Sequence, residues 1–393
     1  MLFSIALILL LGLFAGWVFS RLRLPSLAGM ILVGIAIGPY ALNLLAPSLM
    51  DVSADLRQVA LVVILTRAGL SLNLEDLKRV GRPAVLMCFV PACLEMLGTM
   101  LLAPLLFGIS LLDAAIIGSV LSAVSPAVIV PRMIRLIDEG YGQDHSIPQL
   151  ILAGASVDDI FVIVVFTALT SLASTGTVSA LSFLQIPVSI LTGILVGALA
   201  GKALVLFFKK WPVRPVVQVL ILLSLSFVFL QLQTVLETIL PFSGLLAIMS
   251  LGILVRKDNP VLAGSLSVSY NKLWIAAEVF LFVLVGATVN LRYVASVGFA
   301  AVLLVLGALV FRMAGVALSL IRTKLTRPER IFCMLAYTPK ATVQAAIGAI
   351  PLSMGLPCGE LVLTVAVLSI LITAPFGAIC IDKFYQKLLI QKS

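Results

Sequence analysis

The sequence predicts an all-α polytopic membrane protein with thirteen transmembrane helices, and two observations support this prediction. The 393 residues are 62% hydrophobic and only 11% charged, with a mean hydropathy of +1.22. A soluble domain is about half apolar and a quarter charged. The apolar residues also come in runs of about 20, the length that a helix needs to cross a bilayer. This composition excludes ordinary cytosolic enzymes, secreted disulfide scaffolds and nucleic-acid-binding proteins.

The thirteen apolar runs follow one another with short connections. They are 2–19, 25–41, 58–74, 83–107, 113–131, 148–172, 179–208, 215–232, 240–255, 271–290, 293–321, 330–351 and 358–381. Of the 26 basic residues, 21 fall in odd-numbered connections, in the span ends that border them or at the C-terminus, whereas even-numbered connections hold only Arg57 and Arg292. By the positive-inside rule, we expect a multi-pass protein of the cell (inner) membrane, with its N-terminus outside and its C-terminus in the cytoplasm.

Seven charged residues lie deep inside the predicted spans, at least seven residues from either end, where a charge is costly and is typically functional. They are Arg67, Glu95, Asp158, Asp159, Glu278, Arg312 and Lys340. All except Arg67 and Glu278 lie roughly nine to twelve residues, on the order of 15 Å, from the cytoplasmic end of their span, which is the bilayer midplane. Four acids against three bases leave one carboxylate without a fixed counter-charge, as a cation site requires.

Two spans carry a proline at their middle. The fifth contains the sequence SAVSP at 122–126, and the twelfth contains YTPK at 337–340. Because proline removes a backbone donor and clashes with the preceding turn, we expect both helices to be broken there. The two spans are seven apart, and an odd offset reverses direction, so spans four to six and eleven to thirteen are predicted to form inverted repeats. Broken helices at matching places of inverted repeats indicate the ion site of a secondary transporter.

The sixth span contains the adjacent carboxylates Asp158 and Asp159. Since neighbours on a helix point about 100° apart, we expect one carboxylate to face a cation and the other to pair with Lys340. A buried carboxylate holds either a proton or a small hard cation, and hydroxyl oxygens complete such a site. The candidate neutral ligands are Ser125, Ser156 and Thr338. A site that binds either a proton or a cation, but not both at once, predicts exchange of H⁺ for Na⁺ or Li⁺.

A second charge pair is predicted outside this group. Arg67 and Glu278 fall at similar depth in spans three and ten, so we expect them to form a structural pair.

Four short motifs resemble the NHA clade of monovalent cation/proton antiporters over nearly the whole chain. They are TRAGL at 66–70, SAVSPAV at 122–128, SVDD at 156–159 and PKATVQAA at 339–346. The resemblance implies an NhaA/NapA-type fold, a homodimer and an elevator-like motion. It also implies a transporter that is not an enzyme and needs no cofactor beyond the transported ions.

The resemblance further implies a division of the chain into two kinds of segment. Residues 1–81 and 174–292, the latter with a linker helix, are expected to form the dimerisation domain, and 82–173 and 293–393 the two halves of the core ion-transport domain.

The same resemblance assigns roles to five of the buried charges. Asp159 is expected to be the main ion-binding carboxylate and to hold Na⁺, with Asp158 as its partner and Lys340 as the lysine of the crossing helices. Glu95 and Arg312 are expected to form a buried structural ion pair. Their depths agree with this, because span four enters the membrane from the cytoplasm and span eleven returns to it.

Two other transporters stay open at this point. A Na⁺-coupled organic-solute symporter of related fold would bind Na⁺ with neutral side chains beside an organic substrate, and the midplane carboxylate pair with a lysine argues against it. A K⁺/H⁺ antiporter would use the same carboxylates for a larger cation.

Overall fold

All regular secondary structure in the part of the chain that the computed structural model describes is α-helical. It describes residues 1–72, 81–174, 180–211, 213–236 and 240–391, without the side chains of Ser156 and of 180–186. The helices in these ranges are α1 (Leu2–Arg21), α2 (Ser26–Ile37), α3 (Pro47–Met50), α4 (Ser53–Ser71), α5 (Arg82–Met87), α6 (Val90–Phe107), α7 (Leu111–Leu121), α8 (Pro126–Asp138), α9 (Ile147–Ser174), α10 (Ala180–Lys210), α11 (Pro215–Leu236), α12 (Gly244–Asp258), α13 (Pro260–Ala287), α14 (Leu291–Ser319), α15 (Arg327–Ala336), α16 (Thr342–Ile347), α17 (Ile350–Ser353) and α18 (Gly359–Leu388).

Nine segments of the described chain are long and apolar enough to cross a membrane, counting α5 with α6 and α7 with α8 as one segment each. This confirms the prediction of an all-helical polytopic membrane protein. Of the other helices that coincide with predicted spans, some are shorter, such as the 12-residue α2 and the 15-residue α12, and the 19-residue α4 is not among the nine segments. The total of thirteen crossings therefore stays a prediction.

Both proline-containing segments leave the helical conformation where the sequence places the prolines. Helix α7 ends at Leu121 and α8 begins at Pro126, whereas α15 ends at Ala336 and α16 begins at Thr342. Pro126 occupies the first turn of α8, where a missing N–H leaves no intrahelical bond unmade. The two non-helical segments, 122–125 and 337–341, meet at a backbone hydrogen bond, in which Ser125 N donates to Pro339 O at 2.8 Å.

The chain forms two compact units. The first comprises Met1–Ala54, Leu74–Val162 and Val279–Ser393, and the second comprises Asp55–Asn73 and Ile163–Glu278. The division into dimerisation and core segments described above stays a prediction.

In the first unit, α6 packs along α14, and α18 packs against α7, α14 and α15. A buried apolar cluster fills the space around α8, α9 and α15, with Met133, Ile151, Phe332 and Tyr337 among its fully buried members. The segment 122–125 is bonded to α9 and α14, and the segment 337–341 is bonded to α14 and α18.

In the second unit, α10 packs on α12 through a stripe of glycines four residues apart. A Cβ at Gly197 would lie 2.2 Å from Ala247 O, and one at Gly193 would lie 2.6 Å from Ser243 O. Such glycines let two helix backbones approach closely, as is common between membrane helices.

Candidate ion-binding site

The adjacent carboxylates of α9 have different surroundings. Asp158 is fully buried, and its Oδ2 accepts hydrogen bonds from Val124 N at 2.8 Å and from Arg312 Nη2 at 3.1 Å. Asp159 is 9% exposed, and among the described residues its Oδ1 has no hydrogen-bond partner and no salt bridge includes it. Oδ1 of Asp158 also lacks a hydrogen-bond partner there, so Asp158 differs from its neighbour by the backbone bond and the salt bridge that its Oδ2 accepts.

Arg312 of α14 connects the buried acids with both helix breaks. Its Nη1 lies 2.9 Å from Glu95 Oε2, and its Nη2 makes the bond to Asp158. Its Nε donates to Tyr337 O at 2.7 Å, and Nη1 also donates to the carbonyl of Ser122. The planar guanidinium thus uses its fork of donors on two carboxylates and on the backbone of both non-helical segments.

Lys340 takes a different partner from the one that the sequence predicted. Its Nζ lies 2.6 Å from Glu95 Oε1 and 2.5 Å from Leu121 O, whereas Asp158 is bonded to Arg312. The predicted pairing of Lys340 with Asp158 is therefore wrong. Charge and depth indicate which residues can meet, but the direction that each side chain takes around its helix decides the pairs.

The charges of this group do not balance when all its members are ionised. Glu95 and Asp158 accept salt bridges from Arg312 and Lys340, so two acids are matched by two bases. The third carboxylate, Asp159, has no matching base in this group. Because an uncompensated buried charge is costly, Asp159 is the place in this group that gains most from a bound cation or proton.

The three candidate neutral ligands differ in the hydrogen bonds that the structure shows for their hydroxyl groups. Ser125 is fully buried, and its Oγ has no hydrogen-bond partner among the described residues. Thr338 is also buried, and its hydroxyl donates to Leu335 O at 2.8 Å, so its oxygen lone pairs stay available to a cation. The side chain of Ser156 lies outside the described part of the structure.

Two polar residues near the site were not assigned a role from the sequence. Gln344 is fully buried in α16; its Nε2 donates to Ala123 O at 2.8 Å, and its Oε1 accepts from Ala341 N at 2.8 Å. Thr373 Oγ1 accepts from Lys340 N at 2.9 Å. A polar side chain in an apolar span is a usable signal, because inside a membrane such a group needs a partner.

The second predicted pair, Arg67 and Glu278, lies in the second unit. The Arg67 guanidinium carbon lies 5.8 Å from the ring centroid of Trp274. Arg67 and Glu278 interact electrostatically, but they do not form a salt bridge within 4 Å. The structure thus brings the two residues near each other without a direct bond.

Comparison with known proteins identifies relatives over nearly the full chain. A family model described as "Sodium/hydrogen exchanger, transmembrane" matches residues 6–384. Sodium/hydrogen exchanger 9B2 of Homo sapiens is 33% identical over 392 residues, which cover 93% of this chain and 70% of the relative. Sodium/hydrogen exchanger 9B1 of Homo sapiens is 31% identical over 386 residues, which cover 93% of this chain and 73% of the relative.

A solved structure has the same fold. The sodium proton antiporter MjNhaP1 of Methanocaldococcus jannaschii at pH 8 superposes with a TM-score of 0.84 at 21% sequence identity, covering 98% of this chain and 97% of that one. At this identity, the likeness establishes the helical architecture alone.

Proposed function

Because this chain belongs to the sodium/hydrogen exchanger family, we propose that it is a secondary active antiporter that exchanges Na⁺, or Li⁺, for H⁺ across a membrane. The observation that carries the proposal is the buried Asp159, which has no salt bridge among the described residues while Asp158 beside it is bonded to Arg312 and Val124.

Exchange follows from competition for Asp159. A carboxylate binds either one proton or one small hard cation, because both neutralise the same charge. Ser125 and Thr338 supply hydroxyl oxygens from the two helix breaks, and Na⁺ prefers oxygen ligands of this kind. Since the occupants exclude each other, a site that opens to alternate sides moves them in opposite directions.

The other buried charges keep Asp158 ionised while Asp159 changes occupant. Arg312 and Lys340 are matched by Asp158 and Glu95, so the only unmatched charge in the group is at Asp159. We propose that Glu95 and Arg312 form a structural pair and carry no transported proton. Lys340 adds positive charge that weakens proton binding by its neighbours.

Alternating access is the proposed mode of transport. The breaks at 122–125 and 337–341 are joined by the Ser125–Pro339 hydrogen bond, and half-helices that meet at mid-depth are typical of transporter ion sites. We propose thirteen crossings, with inverted repeats in spans four to six and eleven to thirteen. The two core halves, 82–173 and 293–393, would move like an elevator against a dimerisation domain of 1–81 and 174–292 in a homodimer.

The four sequence motifs support placement in the NHA clade, with an NhaA/NapA-type fold. The distribution of basic residues supports an N-terminus outside and a cytoplasmic C-terminus in the cell (inner) membrane.

Purified protein in liposomes that contain a pH-sensitive dye tests the proposed activity. Na⁺ or Li⁺, added one at a time to the outside, is expected to drive protons out of the lumen, whereas protein-free liposomes show no response. A response to K⁺ that exceeds the response to Na⁺ would favour a K⁺/H⁺ antiporter. Na⁺ movement that requires an organic solute would overturn the proposal in favour of a symporter.

A further inference from the structure

The carboxylate of Asp382, on α18, binds two arginines of α8. Its Oδ2 accepts from Arg132 Nε at 3.2 Å and from Arg132 Nη2 at 3.1 Å, and its Oδ1 accepts from Arg135 Nη2 at 3.0 Å. Since residues three apart lie on one face of a helix, a single carboxylate can reach both. Charge-assisted hydrogen bonds of this kind restrict direction as well as distance. Asp382 therefore fastens the half-helix that follows the break at 122–125.

The residues just after α18 bind the connection that follows α8. Gly142 N donates to Ile390 O at 2.9 Å, and Gln391 Nε2 donates to Glu139 O at 3.1 Å. Leu389 is only 5% exposed and belongs to the buried apolar cluster around α8, α9 and α15. This second attachment holds the end of α8 by hydrogen bonds to the backbone and by apolar contact.

Tyr385 joins the two attachments. Its ring packs edge-on against that of Tyr141, with 4.9 Å between the ring centroids, and the guanidinium carbon of Arg135 lies 5.2 Å from the centroid of Tyr385. Asp382, Tyr385 and 389–391 thus form one continuous contact with the end of α8 and the connection after it. We call these residues the α18 clamp.

Helix α8 connects this clamp with the ion-binding group. Its 13 residues span about 20 Å, and at the other end Val124 N donates to Asp158 Oδ2 while Ser125 N donates to Pro339 O. Because 122–125 is not helical, α8 can pivot there when its far end is released. A pivot changes the direction in which the chain leaves Ser125. The clamp therefore contributes to the position of a proposed cation ligand at the opposite end of the helix.

We infer that Asp382 is a positioning residue for the ion-binding group, because the α18 clamp holds α8 in the direction that places Ser125 at the cation site. The inference deepens the proposed function and rests on it. Weakening the clamp has two consequences. Helix α8 opens more often, and the cation binds less tightly because part of its binding free energy is then used to order α8.

Hydrogen exchange of the purified protein without Na⁺, followed by mass spectrometry, measures the first consequence. In Asp382→Asn, the amides of 126–142 are expected to exchange about fivefold faster than in the wild type, which corresponds to about 1 kcal/mol for two partly exposed ion pairs. The amides of α1 should exchange as before. Asp382→Glu keeps the charge and should stay close to the wild type. Asp138→Asn is the matched control, because Asp138 is an exposed aspartate of α8 outside the clamp.

Na⁺/H⁺ exchange in liposomes measures the second consequence. The KM for Na⁺ should rise about fivefold in Asp382→Asn with the maximal rate unchanged, and Asp382→Glu should restore most of the affinity. Leu389→Ser weakens the apolar attachment instead of the ion pairs. It should change both measurements in the same direction, and it takes the place of Asp382→Asn if that variant does not fold.

Unchanged hydrogen exchange in 126–142, or faster exchange in all helices alike, would overturn the inference and leave the clamp a general stabilising contact. Locally faster hydrogen exchange with an unchanged KM would overturn it as well. If the wild type exchanges no Na⁺ while the hydrogen exchange of α8 depends on Asp382 as expected, the proposed function is contradicted and the clamp is not.

Discussion

The guanidinium of Arg312 is the direct counter-ion of Asp158, with Nη2 3.1 Å from Oδ2. The same side chain also bonds Glu95, so a single base on α14 serves two acids that are far apart in the sequence. Lys340 completes the group by bonding the second oxygen of Glu95. Because the partners are shared, the effect of removing one buried charge depends on which partners it leaves without a salt bridge.

Removal of Arg312 is expected to be more damaging than removal of Glu95. Arg312→Ala leaves Asp158 without a salt bridge and Glu95 with only that of Lys340, and it removes the donor to the backbone carbonyls of both helix breaks. Glu95→Ala leaves Lys340 without its salt bridge but keeps the bond of Arg312 to Asp158. Breaking a buried pair from one side costs about 3–5 kcal/mol. The melting temperature in detergent should therefore fall in both variants, and further in Arg312→Ala.

A double-mutant cycle tests whether these two residues act as partners. The loss in Glu95→Ala/Arg312→Ala should be smaller than the sum of the two single losses, by about 1–3 kcal/mol, because the double change removes both buried charges together. Additive losses would show that the 2.9 Å contact contributes no coupling and that the pair is not structural.

Lys340→Ala is expected to shift the pH dependence of exchange. Lys340 contacts Glu95 and lies near Asp158, and loss of a nearby positive charge makes every neighbouring carboxylate bind its proton more tightly. The half-activation pH in liposomes should therefore rise. Lys324→Ala, in an exposed loop position, removes the same charge outside the group and should leave the profile unchanged. An acid shift in Lys340→Ala would contradict this assignment.

Glu329, just ahead of the predicted span 330–351, links two elements of the first unit. Its Oε1 lies 2.9 Å from His145 Nδ1, and its Oε2 accepts from Thr326 N at 2.7 Å in a capping box. Burial raises the pKa of Glu329, but the hydrogen bonds from His145 and Thr326 outweigh burial and hold that pKa below its usual 4.5. The stability that ionised Glu329 contributes is therefore present above about pH 4.5 and is lost as the pH falls through the pKa of the folded state.

Glu329→Gln should accordingly lower stability near neutral pH by about 1 kcal/mol, because the amide can still accept in the capping box but lacks the charge that strengthens the bonds with Thr326 and His145. The difference from wild type should shrink as the pH falls through the pKa of folded Glu329, because the wild-type carboxyl is then protonated too. Melting temperatures over a pH series measure both effects. Glu139→Gln is a suitable control, because its salt bridge with Arg135 is exposed and contributes little. A difference that stays constant down to the lowest pH at which the wild type is folded would exclude the role of the charge.

The sequence identified the buried charges and its family resemblance paired Glu95 with Arg312, but neither indicated the partners that Asp158 and Lys340 take. Asp158, Asp159, Arg312 and Lys340 are visible as charges in apolar runs, and Pro126 and Pro339 mark where the helices break. Depth in the membrane follows from residue counting, because each residue of a helix adds a fixed rise. The direction of a side chain around its helix depends on how the helices rotate against one another, which no residue count supplies.

The hydrogen bonds of Gln344 are a second feature that counting residues in the sequence does not predict. Gln344 Nε2 donates to backbone carbonyls more than 200 positions away in the sequence. These carbonyls can accept from a side chain because α7 ends at Leu121. The polar residue itself was visible in the sequence as part of a motif. Its bonds follow from the crossing of the two breaks, where Ser125 N meets Pro339 O.

The most direct test of the central claim is Na⁺-driven proton efflux from liposomes that contain wild-type protein, Asp159→Asn or Asp138→Asn. Asp138 is exposed at the end of α8, so its replacement makes the same chemical change outside the ion-binding group. We expect wild type and Asp138→Asn to exchange, and Asp159→Asn to lose Na⁺-driven efflux while it keeps its helical content and inserts normally. Wild-type exchange by Asp159→Asn would contradict the claim that Na⁺ and H⁺ compete for Asp159.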